Sequence, residues 1–243
     1  MIKKSIGELK QRIPPLPSFF TDEDPFSAIA QSYLAALLVP DREKARKIIS
    51  DALASGKTVP DIYLRVFQPV LRETGRLWQI HKLSIAKEHF VTASVQLSIT
   101  RLHYQVISSR KGELRGKTIV TACVGEELHD VGIRMVTDFF EIDGWNTYHI
   151  GANIPAQSLI EAVKDRNPEV LAISLTIPTY IPVVHYLIRS LRADPKTAKV
   201  KILVGGYVFN VVPDLWKQIG ADAYAADAGE AVVAANRFVE GKN

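Results

Sequence analysis

The amino-acid sequence predicts an α/β protein in two parts: an N-terminal four-helix bundle, then a flavodoxin-like or Rossmann-like domain with a five-stranded parallel sheet. Three observations lead there. Up to about residue 113 the apolar residues follow helical spacing. Beyond it, short β-branched runs alternate with helical stretches. The segment between, residues 108–116, is polar and hinge-like. Five strand–helix units in the second part are the pattern of a parallel sheet covered on both faces. The expected organisation is an extension over 1–24, a helical domain over 25–113 and a sheet domain over 114–243.

The elements follow in order. Residues 26–38 are mostly apolar and free of Gly and Pro, which predicts the first helix. Asp41 after Pro40 can cap a second helix running to Ala54, with Gly56 ending it. Pro60 suits the first turn of a third helix reaching Gln79, and Pro69 inside it predicts a kink or a break. Ser84 can cap a fourth, with Ile85, His89, Ala93 and Gln96 on one face, continuing to Ser108. In the second part the expected strands are 117–123, 146–151, 170–176, 201–204 and 223–226. The expected helices are 130–141, 156–165, 180–192, 213–219 and 229–239.

Composition narrows the function classes. Hydrophobic residues make up 47 % and charged residues 23 % of the 243, which excludes a disordered or collagen-like chain and a membrane bundle. A single cysteine, Cys123, excludes a disulfide framework and any multi-cysteine metal site. No stretch of about 18 uncharged apolar residues is present. Near the start, Lys3, Lys4 and Lys10 are mixed with Glu8, and prolines stand where a signal peptide needs an apolar run, so a cytoplasmic location is expected. Residues 1–113 carry 17 basic and 11 acidic side chains, and residues 114–243 carry 13 and 15. The bases are interleaved with acids, as in Asp41-Arg42-Glu43-Lys44, so they read as solvated helix faces more than as a nucleic-acid surface.

In a doubly wound sheet, ligands bind beyond the carboxyl ends of the strands, at the switch point beside the first strand. The loop there reads Gly125-Glu126-Glu127-Leu128-His129-Asp130-Val131-Gly132. It has neither the dinucleotide glycine spacing nor that of a P-loop. It offers one imidazole, His129, with a carboxylate two residues earlier, Glu127. A neutral histidine can bind a metal through one ring nitrogen while the other donates to a carboxylate, which sets the tautomer and raises basicity. A conventional zinc site needs three or four ligands, and no second cluster lies near in sequence. Isolated Glu-x-His pairs are more often solvated loop residues, and only the location weighs against that here.

The segment Glu127-Leu128-His129-Asp130-Val131-Gly132 resembles the cobalamin-binding signature Asp/Glu-x-His-x-x-Gly. Ser174-Leu175-Thr176 after the third strand and Gly205-Gly206 after the fourth resemble the two further elements of that signature, in the same order. Gly220-Ala221-Asp222 is also similar to the family's sequence before the last strand. The resemblance implies that His129 coordinates the lower face of cobalt with Glu127 as its acceptor. It also implies that Gly132, Ser174, Thr176, Gly205 and Gly206 form a slot for the displaced nucleotide tail. In the helical part, Trp78 and Glu88-His89 are similar to the Trp-x9-Glu-His element of light-sensing, CarH-type cobalamin proteins, where a helical cap covers the upper face of the corrin. This implies that Trp78, Glu88 and His89 shape the upper-ligand pocket.

Two departures stand out. About 25 polar and proline-rich residues precede the first helix, too few for the DNA-binding domain usual in those regulators. Gln79 follows the tryptophan, where the light sensors carry a histidine. The leading expectation is therefore a stand-alone cobalamin sensor, a binding protein more than an enzyme. It would hold adenosylcobalamin or methylcobalamin, respond to light, and signal through a regulatory protein partner or a change of homo-oligomer, without direct DNA or membrane binding. The alternative is a corrinoid methyl carrier serving a methyltransferase. A third reading exchanges cobalamin for another tetrapyrrole. His103, His149 and His185 read as packing or surface residues, and Thr179 or Tyr180 as a further partner of Glu127.

Overall fold

A computed structural model describes residues 18–21, 24–110, 112 and 115–240. The greater part of the expected N-terminal extension, residues 1–17 with 22 and 23, lies outside the described residues. The chain divides into two compact units between Val106 and Ile107. No helix among the described residues is long and apolar enough to cross a membrane.

The helical unit contains the four expected helices. Helix α1 is Ser27–Leu38 and α2 is Arg42–Ala54. Asp41 caps α2 by accepting the Lys44 N–H at 2.9 Å, and Gly56 leaves the helix at φ +89°. Helix α3 starts at Val59 behind a reciprocal cap, in which Thr58 accepts from the Asp61 amide and the Asp61 carboxylate accepts from the Thr58 amide. Pro69 neither breaks α3 nor ends it. The helix passes from Val59–Ile62 through a π-helical turn, Tyr63–Phe67, into Gln68–Gln79. The Gln68 N–H reaches back five residues to Tyr63 O, and this wider turn admits the proline ring where a regular helix would have met a clash. Helix α4 is Ile85–Ser108. The core of the unit is built around Tyr33, Ile62, Tyr63, Phe67, Val95 and Ile99, all buried, with the Tyr33 and Phe67 rings 5.4 Å apart. The Tyr33 hydroxyl shares a 2.8 Å hydrogen bond with Ser98 and joins α1 to α4.

The second unit is a parallel sheet of β1 (Thr118–Val124), β2 (Asn146–Ile154), β3 (Val170–Ser174), β4 (Lys201–Gly205) and β5 (Ala223–Ala225). The strand order is β2-β1-β3-β4-β5, as expected for a flavodoxin-like sheet. Alternate residues feed opposite faces. Val120, Ala122, Leu171, Ile173, Ile202 and Val204 pack with helices α6 (Ala156–Arg166) and α7 (Ile181–Ala193). Ile119, Cys123, Val170, Ala172 and Leu203 pack with α5 (Val131–Ile142) and α10 (Ala228–Glu240). Both faces are dry, so the strands read as near-continuous apolar runs. The helix expected over 213–219 is present as α9 (Leu215–Gln218), and a further short helix that was not expected, α8 (Tyr207–Val211), precedes it.

Two strand ends differ from expectation, and both differences bear on the site. Strand β2 runs three residues past Gly151 by bulging: its register against β1 slips twice, with Gly151 at φ +93° and Asn153 at φ +58°. Strand β3 stops at Ser174 instead of reaching Thr176, because the Thr176 and Ile177 amides turn to Glu127. The Gly220-Ala221-Asp222 turn has a structural task. Asp222 accepts from Arg192 at 2.5 Å and from the Ile202 amide at 2.7 Å, tying α7 to the amino end of β4.

At the carboxyl end of β4, Gly206 sits at φ +95° and ψ 173°, a region essentially confined to glycine. A Cβ there would lie 2.5 Å from Leu175 O. Gly206→Ala is expected to destabilise the protein by about 1–3 kcal/mol from backbone strain alone. The measurement is the urea midpoint, and an unchanged midpoint would show that the turn relaxes.

Candidate functional site

The loop after β1 is positioned from two sides. The Gly125 amide donates to Ile154 O at 2.8 Å and the Asn153 amide to Glu127 O at 3.0 Å, so the bulged end of β2 supports the backbone of the loop. Asn153 was not anticipated from the sequence; an Asn in the left-handed region before Ile-Pro was the available signal. On the other side, the start of the β3–α7 connection reaches the Glu127 side chain.

Glu127 is the centre of the arrangement. It is completely buried, at 0 % exposure. Its Oε1 accepts from the His129 amide at 3.0 Å and lies 2.5 Å from His129 Nδ1. Its Oε2 accepts from the Thr176 amide at 2.7 Å and the Ile177 amide at 2.8 Å. Four donors therefore occupy the acceptor positions of one carboxylate. Burial alone would raise its pKa, but the His129 ring, the His129 amide and the Ile177 and Thr176 amides outweigh burial and pull it down to about 2. An anionic acceptor makes His129 Nδ1 the protonated nitrogen, which leaves the Nε2 lone pair as the coordinating one. The His129 side chain is 57 % exposed, so this nitrogen belongs to a ring that a ligand can reach.

The further partner of Glu127 is backbone, not Thr179 or Tyr180. The Tyr180 hydroxyl points to Glu126 Oε2 at 3.5 Å. Cys123 lies beneath the loop, its thiol donating weakly to His129 O at 3.6 Å, and burial raises its pKa so that it stays a thiol. His149 Nδ1 lies 3.0 Å from Thr121 Oγ1 and 3.1 Å from Thr137 Oγ1, and burial, then the charge of Arg134, lower its pKa. It packs inside the unit, as expected, and His185 Nδ1 lies 3.4 Å from Ile219 O.

The remaining expected residues of the sheet unit gather at the carboxyl ends of β1, β3 and β4. Ser174 is buried, Thr176 is half-buried, and Leu175 between them donates to Gly205 O at 3.0 Å. A Cβ at Gly132 would meet nothing within 4 Å, so the first turn of α5 opens onto free space. Gly205 and Gly206 differ from expectation in what demands them. An added Cβ at Gly206 would lie 2.5 Å from Leu175 O, so the protein's own chain requires that glycine, and one at Gly205 would crowd Ala225 O at 3.1 Å. The sequence reading also missed Tyr207, directly after them, whose phenol oxygen is buried without a hydrogen-bond partner among the described residues.

In the helical unit, Leu77 O accepts from the Lys82 and Leu83 amides, so α3 turns tightly into α4. This brings Trp78, at the end of α3, and Glu88-His89, in the first turn of α4, to one end of the unit. Trp78 is 44 % exposed. Glu88 Oε2 lies 2.5 Å from His89 Nδ1 and its Oε1 accepts from Thr92 at 2.9 Å. The His89 side chain is 72 % exposed, so this pair also presents an imidazole at the surface.

A family model described as B12 binding domain matches residues 117–236, and a second with the same description matches residues 29–103. The dimethylamine corrinoid protein of Methanosarcina barkeri is 31 % identical over 170 residues, covering 70 % of this chain and 78 % of that protein. The chain belongs to the B12-binding domain family. Dimethylamine corrinoid protein 1 of Methanosarcina mazei is 29 % identical over 174 residues, covering 71 % of this chain and 76 % of that one. The solved structure of the Methanosarcina barkeri monomethylamine corrinoid protein has the same fold, with a TM-score of 0.74 at 21 % identity over 87 % of this chain and 99 % of that chain.

The protein is thus a corrinoid-binding protein, and its residues fit that group. The reachable His129 ring, the open face at Gly132 and the unpartnered Tyr207 phenol lie at the carboxyl edge of one sheet. Glu127 gives this edge a pH dependence. With its pKa lowered from 4.5 to about 2, it contributes stability that is complete above about pH 4.5 and lost as pH falls towards 2. The contribution is on the order of 3 kcal/mol. The stability difference between wild type and Glu127→Gln is expected to be largest near neutrality and to shrink across that window. Urea unfolding of both proteins over the same pH series measures it; a difference independent of pH would contradict the assignment.

Proposed function

We propose that this protein is a corrinoid methyl carrier, receiving a methyl group from one methyltransferase and presenting it to another. The observation that carries the reading is the saturated Glu127 carboxylate. It holds the imidazole of His129 in one tautomer, at the ligand edge of a chain whose relatives are dimethylamine corrinoid proteins. When bound, the corrinoid supplies a cobalt centre that takes up and releases methyl groups.

The chain's own residues do the rest. His129 would hold the cobalt of the corrinoid through Nε2. Glu127 keeps the proton on Nδ1, because protonating a carboxylate already engaged by four donors would break those contacts. Gly132, Ser174, Thr176, Gly205 and Gly206 form the slot for the nucleotide tail. Trp78, Glu88 and His89 are the helical unit's candidates for the upper-ligand side.

The light-sensing reading drew on the Trp-x9-Glu-His spacing, and the dimethylamine corrinoid relatives favour the carrier over it. Their names point to methylated amines as the source of the methyl group. The partners are then methyltransferases, in place of a regulatory protein.

The test reconstitutes the protein with cobalamin and reduces it. It is then supplied with mono-, di- or trimethylamine and candidate amine and acceptor methyltransferases. Amine-dependent methylation, followed by the absorption spectrum, is expected. No methylation with any amine, together with a light-driven change of spectrum and oligomeric state, would return the reading to the sensor. A companion measurement concerns the axial ligand. His129→Ala is expected to retain the wild-type circular dichroism, to melt lower because the buried Glu127 carboxylate loses a donor, and to lose the histidine-coordinated cobalamin spectrum. An unchanged spectrum would refute the role given to His129.

A further inference from the structure

On the flank of the sheet unit, α7 and the end of α9 border a groove of about 460 Å³. Its floor is apolar, formed by Ile188 and Ile219, which are both buried. Its walls carry His185, Arg189, Arg192 and Lys217, and no acidic side chain lines it. Gly220 keeps the floor uncovered: at φ +83°, an added Cβ there would stand 3.6 Å from Ile188 Cγ2.

The charges differ in how they are engaged. Arg192 is occupied within the fold, donating to Ala198 O, Val200 O and Asp222. Lys217 meets Asp214 at 2.7 Å, a pair exposed to water on both sides and so weakly held. His185 Nδ1 lies 3.4 Å from Ile219 O. Arg189 is exposed and makes no hydrogen bond or ion pair among the described residues. This concentration runs against its surroundings, because residues 114–243 hold 13 basic and 15 acidic side chains. A cleft with walls of one sign and an apolar floor focuses its field on an anionic partner.

The shape narrows the partner. Sites for small molecules enclose most of their ligand, whereas here Arg189, Lys217 and Gly220 are all exposed. Three permanent cations in a net-acidic unit are too few for a nucleic-acid backbone. An extended protein segment fits, with Asp or Glu side chains for the walls and short apolar ones for the floor. The groove is also coupled to the ligand edge. Helix α7 begins at Ile181, shortly after Ile177, whose amide donates to Glu127 Oε2 at 2.8 Å. A partner lying along α7 therefore grips the element that leads directly from the Glu127–His129 arrangement.

We propose that this groove docks an acidic segment of a methyltransferase. The identity of the partner rests on the carrier reading; the acidic chemistry rests on the groove alone.

The experiment uses the full-length, cobalamin-loaded protein in two arms. In the first, methyl transfer is measured with the carrier as the varied substrate, at low and high salt. Arg189→Glu is expected to raise the KM for the carrier about 3- to 10-fold at low salt, with kcat unchanged and the effect shrinking as salt rises. Arg189→Lys keeps the charge and is expected to match the wild type. So is Lys44→Glu, which makes the same change of net charge on the exposed face of α2. An unchanged KM for Arg189→Glu with both the amine and the acceptor methyltransferase overturns the proposal. An equal rise for Lys44→Glu also overturns it, because net charge would then explain the effect. In the second arm, hexaglutamate is titrated into the protein and backbone amide resonances are followed. Shifts centred on Arg189 and Gly220, absent from Arg189→Glu, are expected. No shift in the groove at low salt overturns the proposal. Wild-type protein that accepts no methyl group overturns the carrier reading and the partner named here. The hexaglutamate arm needs no methyltransferase and decides the groove's acidic preference separately.

Discussion

One carboxylate organises the ligand edge of the sheet unit. Glu127 is buried, carries a charge, and accepts from four donors belonging to two separate segments. A buried charge is tolerable only when its lone pairs are engaged, so each of these contacts is also a constraint. The constraint explains why β3 ends at Ser174, because the amides that would extend the ladder serve the carboxylate. It also explains why an exposed imidazole keeps one orientation, since both the ring and the backbone amide of His129 are held by the same oxygen.

The rest of the edge is arranged to keep that carboxylate in place. The β2 bulge brings Asn153 and Ile154 under the loop, and the Leu175 contacts with Gly205 and Val208 fix the next strand end. These are mostly backbone hydrogen bonds on a rigid sheet, which hold geometry more closely than long side chains would. The consequence is a fixed Glu127–His129 arrangement assembled from several strand ends by the chain alone. Such pre-organisation holds the loop after β1 in one geometry whether or not a ligand is bound.

Much of this was legible in the sequence. The helical and strand periodicities anticipated four helices and a five-stranded parallel sheet of flavodoxin-like type, because burial on one or both faces writes directly into residue order. The Glu127–His129 pair was legible for a similar reason: both residues lie in one short loop whose place at the switch point follows from the strand count. What escaped were features made by contacts across long sequence separations. The Thr176 and Ile177 amides lie about fifty positions from Glu127, and amides carry no residue-type signal at all. The π turn before Pro69 escaped because a local rule foresees the clash without foreseeing how a tightly packed helix absorbs it. The demand for Gly206 was assigned to a ligand, whereas the nearest obstacle is the backbone of Leu175.

The sequence by itself determined the fold class, the family and the Glu127–His129 pair in one loop, because hydrophobic period and a compact loop motif are local properties. Only the tertiary structure decided which nitrogen of His129 carries the proton, what holds Glu127 charged, and that Tyr207 brings an unsatisfied donor to the same edge. Those depend on hydrogen bonds and burial between strand ends, and a linear order of residue types records neither.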